Sequence, residues 1–425
     1  MNKEFLRKSS RRPRIYYGWY ILFASFFLLF FQAGARFSFG IMFKPMIAQF
    51  GWDRASISLA FFLNMIFFAL TLSIAGRFYD RYGPRWVIIV STLLLSTGYG
   101  CIYFIDELWE LNFYYGILAA VGTGGASVPL IAAMISKWFK KHRGLAISLA
   151  LSGNCLGQFI LVPIFSSVVL EFGWRTSYLI IGLIILLVNI TLVLLVIKEG
   201  TEAPGVKSLP NKYPSVNIKV KGSNVSTTGA TDLSLKEAMK TFSFWPFLVV
   251  MFICGSGDFL VTTHLIPMVT DFDISPAVAA DMLAWFGLLS MGGMLIAGPA
   301  SDRIGSKIPI ALTFILRLLL FLLVLYDQTL ITFYVFAAAF GFTFLITAPL
   351  TTTLVGKLYG FSHVGLISGF ITMVHHLGGG FWSYLGGVIF DKTGSYYWSF
   401  IISAVMAGIA VFCTLLIKEK RQQAD

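Results

Sequence analysis

The decapeptide GRFYDRYGPR at residues 76–85 is written a second time as GPASDRIGSK at residues 298–307. Gly76, Asp80, Arg81, Gly83 and Arg85 recur as Gly298, Asp302, Arg303, Gly305 and Lys307, each displaced by 222 residues. Such a chain is a duplication, and its fold must be two versions of one unit. Both copies sit between long apolar runs, so each reads as a charged turn joining two membrane helices, with glycines for close backbone approach and charges kept near water. The displacement holds backwards without a gap: Phe37 falls on Phe259, Pro45 on Pro267, Phe50 on Phe272, and Arg36 on Asp258. The first span of each half therefore carries one ionisable residue at a matching position, of opposite sign.

Composition agrees with burial in lipid. With 57% hydrophobic and 12% charged residues among 425, the chain has more apolar surface than a soluble fold can hide. Apolar runs able to cross about 30 Å of hydrocarbon are expected near 16–35, 55–76, 86–105, 111–136, 144–170 and 176–197, and again near 244–270, 278–300, 308–326, 328–356, 364–390 and 394–417. The stretch 198–243 is polar and reads as a cytosolic linker whose end, Asp232 to Lys240, forms a short amphipathic helix on the membrane surface with Leu233, Leu235 and Met239. The expected architecture is an all-α membrane protein of twelve transmembrane helices: a six-helix half over 1–197, the linker, and a pseudo-symmetric half over 244–425.

The formal charge of +12 would suggest nucleic acid in a soluble protein, but 26 of the 32 Lys and Arg lie in the amino-terminal tail, the even-numbered loops and the carboxy-terminal tail. That asymmetry places both termini in the cytoplasm. The basic start is not a signal peptide, since the run that follows is too long and lacks a cleavage site. Cys101, Cys155, Cys254 and Cys413 all fall in apolar runs, which implies no disulfide and no metal framework. No cofactor, nucleotide motif or oriented nucleophile is present, so an enzyme or primary pump is not expected. Two parallel repeats put a solute site at their interface near mid-membrane, with transport by rocking one half on the other.

Further matches carry the repeat on. Tyr115 and Gly122 correspond to Tyr334 and Gly341; Gly144, Leu145, Leu156 and Gly157 correspond to Gly365, Leu366, Leu377 and Gly378, which sets Asn154 opposite His375 and Cys155 opposite His376. Twelve spans, a charged central loop and two GxxxDRxGxR copies resemble the major facilitator superfamily over essentially the whole chain. Tyr17-Gly18-Trp19, residues 51–58 (GWDRASIS), residues 138–146 (WFKKHRGLA) and Gly173-Trp174-Arg175 are similar to the monocarboxylate transporter family and its oxalate-carrying relatives. The resemblance implies a small organic anion as solute, often moved with a proton. It also implies that the repeated motif is a conformational latch on the cytoplasmic side, with Asp80 and Arg81 reaching the other half in the outward-open state. One departure stands out: the arginine that this family usually carries in its eighth helix, at a position at or near Met294 here, is missing, and no Lys or Arg lies between Asp281 and Ser301.

Arg36 is then the candidate anion site, since a guanidinium stays charged and binds a carboxylate at two points. Asp258 is its expected partner, competing with the anion and exchanging a proton. The rival reading puts Arg36 near the external end of its helix, snorkelling or fixed in a structural pair. His375 and His376, where oxalate-carrying relatives have a lysine-bearing region, are candidates for solute binding and for the coupling proton, one of the two facing the cavity. Tyr115, Asn154 and Tyr334 are candidate solute hydrogen-bonders; so are Asn64 and Gln158, with helix-to-helix bonding as the alternative. His264 is expected near a solvated helix end, and Arg317 at an interface or in a structural role. The glycine clusters at 122–125 and 378–380 read as helix packing rather than phosphate loops.

The expected function is proton-coupled transport, most simply symport, of a monocarboxylate-like anion by a multi-pass protein of the cytoplasmic (inner) membrane. Its expected partners are the solute, protons and membrane lipid, with no nucleic acid, as a monomer or weak dimer. The alternatives are an exporter or antiporter of a neutral or cationic molecule using Asp258, and a transport-dead sensor of the same fold.

Overall fold

The computed structural model describes residues 16–139, 143–197, 233–360 and 363–419. Lys140, Lys141 and His142, most of the linker and the basic amino-terminal tail fall outside them. Within the first half, α1 covers Gly18–Phe50, α2 and α3 lie in Arg54–Cys101, α4 covers Leu108–Trp138, and α5 and α6 lie in Arg143–Val196. In the second, α7 is Phe244–Thr270, α8 Pro276–Ile304, α9 Lys307–Tyr326, α10 Leu330–Tyr359, α11 Val364–Thr393 and α12 Tyr397–Leu416. These are the twelve expected spans, all helical.

Two of the boundaries are single glycines. Gly83 (φ 79°, ψ 169°) separates α2 from α3 and Gly173 (φ 79°, ψ 164°) separates α5 from α6, both in a region that L side chains rarely adopt. The expected turn at 76–85 is thus mostly helix, with the reversal confined to Gly83. The duplication extends to the backbone: Gly305, 222 residues on, has φ 83° and ψ 169°. Gly51 (φ 69°) is matched in the same way by Asp273 (φ 57°), the one non-glycine with positive φ among the described residues. Ala126 and Leu345 break α4 and α10 at matching points.

One span near the site is longer than the hydropathy pattern suggests. Helix α1 continues past the uncharged run to Phe50, because Ser38 stays in the helical region and its hydroxyl donates to the Gly34 carbonyl rather than ending the helix. The linker's end is a single capped turn, Leu235–Ala238, and not a longer surface helix; Leu233, Leu235 and Met239 pack on the core of the second half. Asp232 lies outside the described residues.

The halves meet along α2 with α11, α5 with α8, and α1 with α7, and among the described residues the ion pairs between them lie at one end. At the start of α2, the backbone N–H groups of Arg54 and Ala55 donate to Asp391 of α11 at 3.0 and 2.7 Å, so a carboxylate from the other half caps this helix. The Arg54 guanidinium bonds Tyr396 and Asp271, stacks on Phe390, and shares Asp271 with Lys44. Further in, Gln158 donates to the Leu283 carbonyl and Ser290 contacts Cys155. Among the described residues, no hydrogen bond or ion pair crosses between the halves at the opposite end, where Asp80, Arg81, Asp302 and Arg303 are exposed. One end is clasped, and the motif end carries no such contact among the described residues.

Gly387 of α11 makes the clasp sterically possible, since a Cβ there would lie 2.8 Å from the Arg54 carbonyl oxygen and 2.9 Å from the Ala55 nitrogen. Gly387→Leu is expected to part this end. A cysteine placed at the buried Ser58, in a background without the native thiols, should react with an impermeant maleimide at least about tenfold faster in the variant, the effect of roughly 1.4 kcal/mol on the opening equilibrium. An unchanged rate would mean that the contact does not hold the clasp.

Candidate functional site

Asp258 and Arg317 are at mid-depth, each roughly 13 Å or more from both ends of its helix at ~1.5 Å per residue. Both are only 1% exposed, and the Arg317 guanidinium lies 2.7 Å from Asp258 Oδ1. That oxygen accepts no aligned hydrogen bond, so the contact is an ion pair rather than a directed bond. The guanidinium's own N–H groups go to Thr343 Oγ1 and to the carbonyls of Thr343 and Cys254, and its face covers Phe340. On the other carboxylate oxygen, His375 Nε2 is 3.1 Å away. Gly255 brings the helices close enough for this, because a Cβ there would lie 1.8 Å from the His375 carbonyl oxygen. Three helices, α7, α9 and α11, thus meet on one carboxylate.

This arrangement corrects the expected pairing of Arg36 with Asp258. Equal positions in two repeats are related by the pseudo-axis, which says nothing about lateral neighbours. Asp258 turns into its own half, toward Arg317, which is buried inside the half and so fits the structural one of its two expected roles. Cys254 Sγ also lies beside this carboxylate, 3.5 Å from Oδ2, and the Cys254, Asp258 and His375 ligand atoms fall within 4.8 Å of one another. Such a trio was not expected from the sequence and has metal-ligand chemistry, but the guanidinium already supplies the neutralising cation there, 3.5 Å from Sγ.

Arg36 is in the middle of the 33-residue α1 and not at its external end. Its guanidinium meets Met65 Sδ at 3.3 Å and the faces of Phe68 and Phe259 at 5.3 and 5.1 Å. No carboxylate pairs with it among the described residues. His376 packs on the same two rings, at 5.0 Å from Phe68 and 5.5 Å from Phe259, and its Nδ1 bonds the Thr372 carbonyl at 2.8 Å. The adjacent histidines therefore diverge, His375 toward Asp258 and His376 toward the rings around Arg36. Counting Arg36 and Arg317 as +1 each and Asp258 as −1, the centre carries a net +1 with neutral imidazoles.

The remaining candidates do not converge on this centre. Tyr115 is 1% exposed and stacked on Phe39 at 4.4 Å inside the first half, with no hydrogen-bond partner for its hydroxyl. Asn64 donates to the Tyr115 carbonyl, and Gln158 bridges to α8, so both tie helices together. Tyr334 donates to Asp281 at 2.9 Å, joining the first turns of α10 and α8. Asn154 is half-buried on α5 and makes no hydrogen bond to another described residue. His264 is not solvated: at 3% exposure it bonds Tyr396 and the Ser383 carbonyl, packed under the clasp between the Phe43 and Tyr396 rings. Both glycine clusters pack helices, Gly122 against Leu95 and Gly379 against Phe259. In the second motif copy, the Ser306 and Lys307 N–H groups donate to Glu419, where Lys357 also binds. Burial alone would raise the Glu419 pKa, but these donors outweigh it and hold the carboxyl below the usual glutamate range.

Comparison with known proteins agrees with this architecture. A family profile described as Major Facilitator Superfamily matches residues 25–269 and 247–425. An uncharacterized MFS-type transporter, YcxA of Bacillus subtilis (strain 168), is 24% identical over 96% of this chain and 96% of its own. Monocarboxylate transporter 13 of Rattus norvegicus is 24% identical over 94% of this chain and 89% of its own. Among solved structures, a bacterial homolog of the human lysosomal transporter Spinster, inward-facing and occupied, superposes with a TM-score of 0.72 at 15% identity, covering 94% of this chain and 97% of its own. The nucleoside transporter NupG, in a mutant form, gives 0.71 at 14% identity over 93% and 99%.

Proposed function

This chain belongs to the Major Facilitator Superfamily, a multi-pass membrane transporter, and from that premise we propose that it carries a small organic anion together with a proton. The halves 1–197 and 244–425, joined through 198–243, rock about the mid-membrane centre. The carrying observation is Arg36: a permanent cation at mid-depth, between the halves, with no carboxylate partner among the described residues. A guanidinium there costs about 2.5–3.5 kcal/mol on insertion scales. An arriving carboxylate supplies the missing counter-charge through two charge-assisted hydrogen bonds.

Coupling follows from charge. Arg317 holds its charge permanently, so the exchangeable proton belongs to the Asp258–His375 pair. A proton there raises the net charge of the centre from +1 to +2 and strengthens anion binding; by linkage the anion strengthens proton binding equally. His376 and Phe259 lie between the two subsites. With both termini in the cytoplasm, the clasped end faces outward and the open motif end faces the cytoplasm. The exposed Asp80, Arg81, Asp302 and Arg303, with the glycines and basic residues of both copies, form the latch when that end closes.

The reading that Asp258 binds a cationic solute is less well supported, because that carboxylate already holds Arg317 and His375. The test is uptake of labelled lactate, pyruvate, formate and oxalate into vesicles holding the purified protein, above protein-free vesicles, with the lumen alkaline. One pH unit supplies about 1.4 kcal/mol, enough for roughly tenfold accumulation of a symported monoanion. Gradient-independent equilibration would remove the proton from the scheme. Failure of every carboxylate tried, small or bulky, would remove the anion.

A further inference from the structure

We infer that His264 is a second proton-binding site, separate from the Asp258–His375 pair, and that a proton on it holds the clasped end apart. The inference concerns the gate and is independent of what the solute is. Hydrogen-bond partners assign the state of the ring in the clasped form. Nε2 lies 2.8 Å from the Ser383 carbonyl oxygen, which only accepts, so Nε2 carries a hydrogen. Nδ1 lies 2.8 Å from the Tyr396 hydroxyl, whose oxygen already accepts from Arg54 Nη1 at 2.8 Å. The hydroxyl hydrogen therefore goes to Nδ1, which must be bare to receive it. The chain runs one way, from Arg54 through Tyr396 and His264 to Ser383, and it closes around a neutral imidazole.

A proton on Nδ1 reverses the middle bond. The Tyr396 oxygen then faces two cationic donors, Arg54 and the imidazolium, while its own hydrogen loses its acceptor. The ring is only 3% exposed, so bulk solvent does not make up the loss, and a second positive charge stands one hydroxyl away from the Arg54 guanidinium. The groups around the ring offer no counter-charge. Helix α1 presents the Phe43 ring, with Lys44 beyond it; α2 presents Ser58 and Arg54; α10 and α12 present Phe336 and Phe400. Asp271, at the end of the ring's own helix, already serves Lys44 and Arg54, and Asp391 of α11 holds the first N–H groups of α2.

The division of these groups between the halves makes the site a switch. His264, Tyr396 and Ser383 all belong to the second half and stay together when the clasp parts, whereas Phe43, Arg54 and Ser58 belong to the first and leave. Parting frees the Tyr396 oxygen to accept from Nδ1–H and opens both the ring and the hydroxyl hydrogen to water. One oxygen thus serves Arg54 in the clasped form or an imidazolium in the parted form. Reclosure expels the proton to the side it came from, so this site times the gate and carries no proton across.

The test uses spin labels on cysteines replacing Ala48 and Ala277, two exposed residues at the clasped end, one in each half, in a background without the native thiols. Pulsed electron–electron double resonance then reads parting as a longer distance. Between about pH 8 and about pH 5.5 the ratio of parted to clasped protein is expected to rise about tenfold, because a solvated imidazole titrating at about 6.5 favours by that factor the one form that binds the proton. In His264→Gln, whose amide offers a donor and an acceptor but takes no proton, the ratio is expected to stay level. Tyr396→Phe removes the contested oxygen, should flatten most of the response, and serves if the glutamine variant does not fold. A ratio that ignores pH in the labelled protein would overturn the inference. So would an undiminished rise in either variant, which would assign the response to other groups.

Discussion

Arg317→Met is expected to destabilise the protein more than any other single change at the centre, by about 3–5 kcal/mol, because it leaves Asp258 as a buried carboxylate without its cation. The guanidinium is also lost from the Thr343 and Cys254 carbonyls, so the crossing of α7, α9 and α10 loosens with it. The measurement is thermal unfolding in detergent. Coupled to Asp258→Asn, the same substitution is expected to recover most of the loss, since a neutral pair of similar volume replaces a charged one. The double variant then separates two roles of the carboxylate. A stable protein that equilibrates the solute but no longer accumulates it against a pH gradient would tie Asp258 and His375 to coupling. Near-normal stability of Arg317→Met alone would show that the pair does not hold the helices.

Arg36→Gln is expected to do the reverse: transport falls by about a hundredfold or more, because a carboxylate loses two charge-assisted hydrogen bonds worth about 1.5–3 kcal/mol each. Stability stays level or rises, since an unpaired charge leaves the membrane interior. Uptake assays and unfolding of the same preparation check both halves of this statement. Arg36→Lys keeps the charge but loses the planar fork, so partial activity is the expected outcome. Full activity of the glutamine variant would remove Arg36 from the solute path. The opposite signs on stability distinguish an arginine that holds the fold from one that waits for a ligand.

How much of this was legible in the sequence follows from what periodicity encodes. The repeat, the twelve spans and the positions of Gly83 and Gly305 are properties of the chain's own order, and they were readable. Arg36 was readable as a mid-membrane cation. The pairing of Asp258 was not, because hydropathy says that a charge is buried without saying toward which neighbour it turns. A clue was available: Asp258 and Arg317 are the two fixed charges at mid-depth in the second half, and opposite charges buried in one bundle find each other. The end of α1 was harder to read, since the uncharged run stops at Ala35 while Ser38 bonds back to the chain and the helix continues to Phe50; for His264 the span was readable but not its burial under the clasp. The clasp itself joins residues more than 300 positions apart, Arg54 with Asp391 and Tyr396, and no local pattern announces it.

Lys44 and Arg54 bring two positive charges to the clasp, and Asp271 and Asp391 bring two negative ones. Parting it therefore shifts no net charge through the membrane field, where one elementary charge is worth about 2.3 kcal/mol per 100 mV. The gate is electrically silent, and any voltage sensitivity must come from what sits at mid-depth. In the proposed cycle the loaded carrier, with one anion on Arg36 and one proton on the Asp258–His375 pair, would have the same net charge as the empty one. Both transits would then feel the membrane potential alike, and voltage would neither drive nor oppose such a cycle.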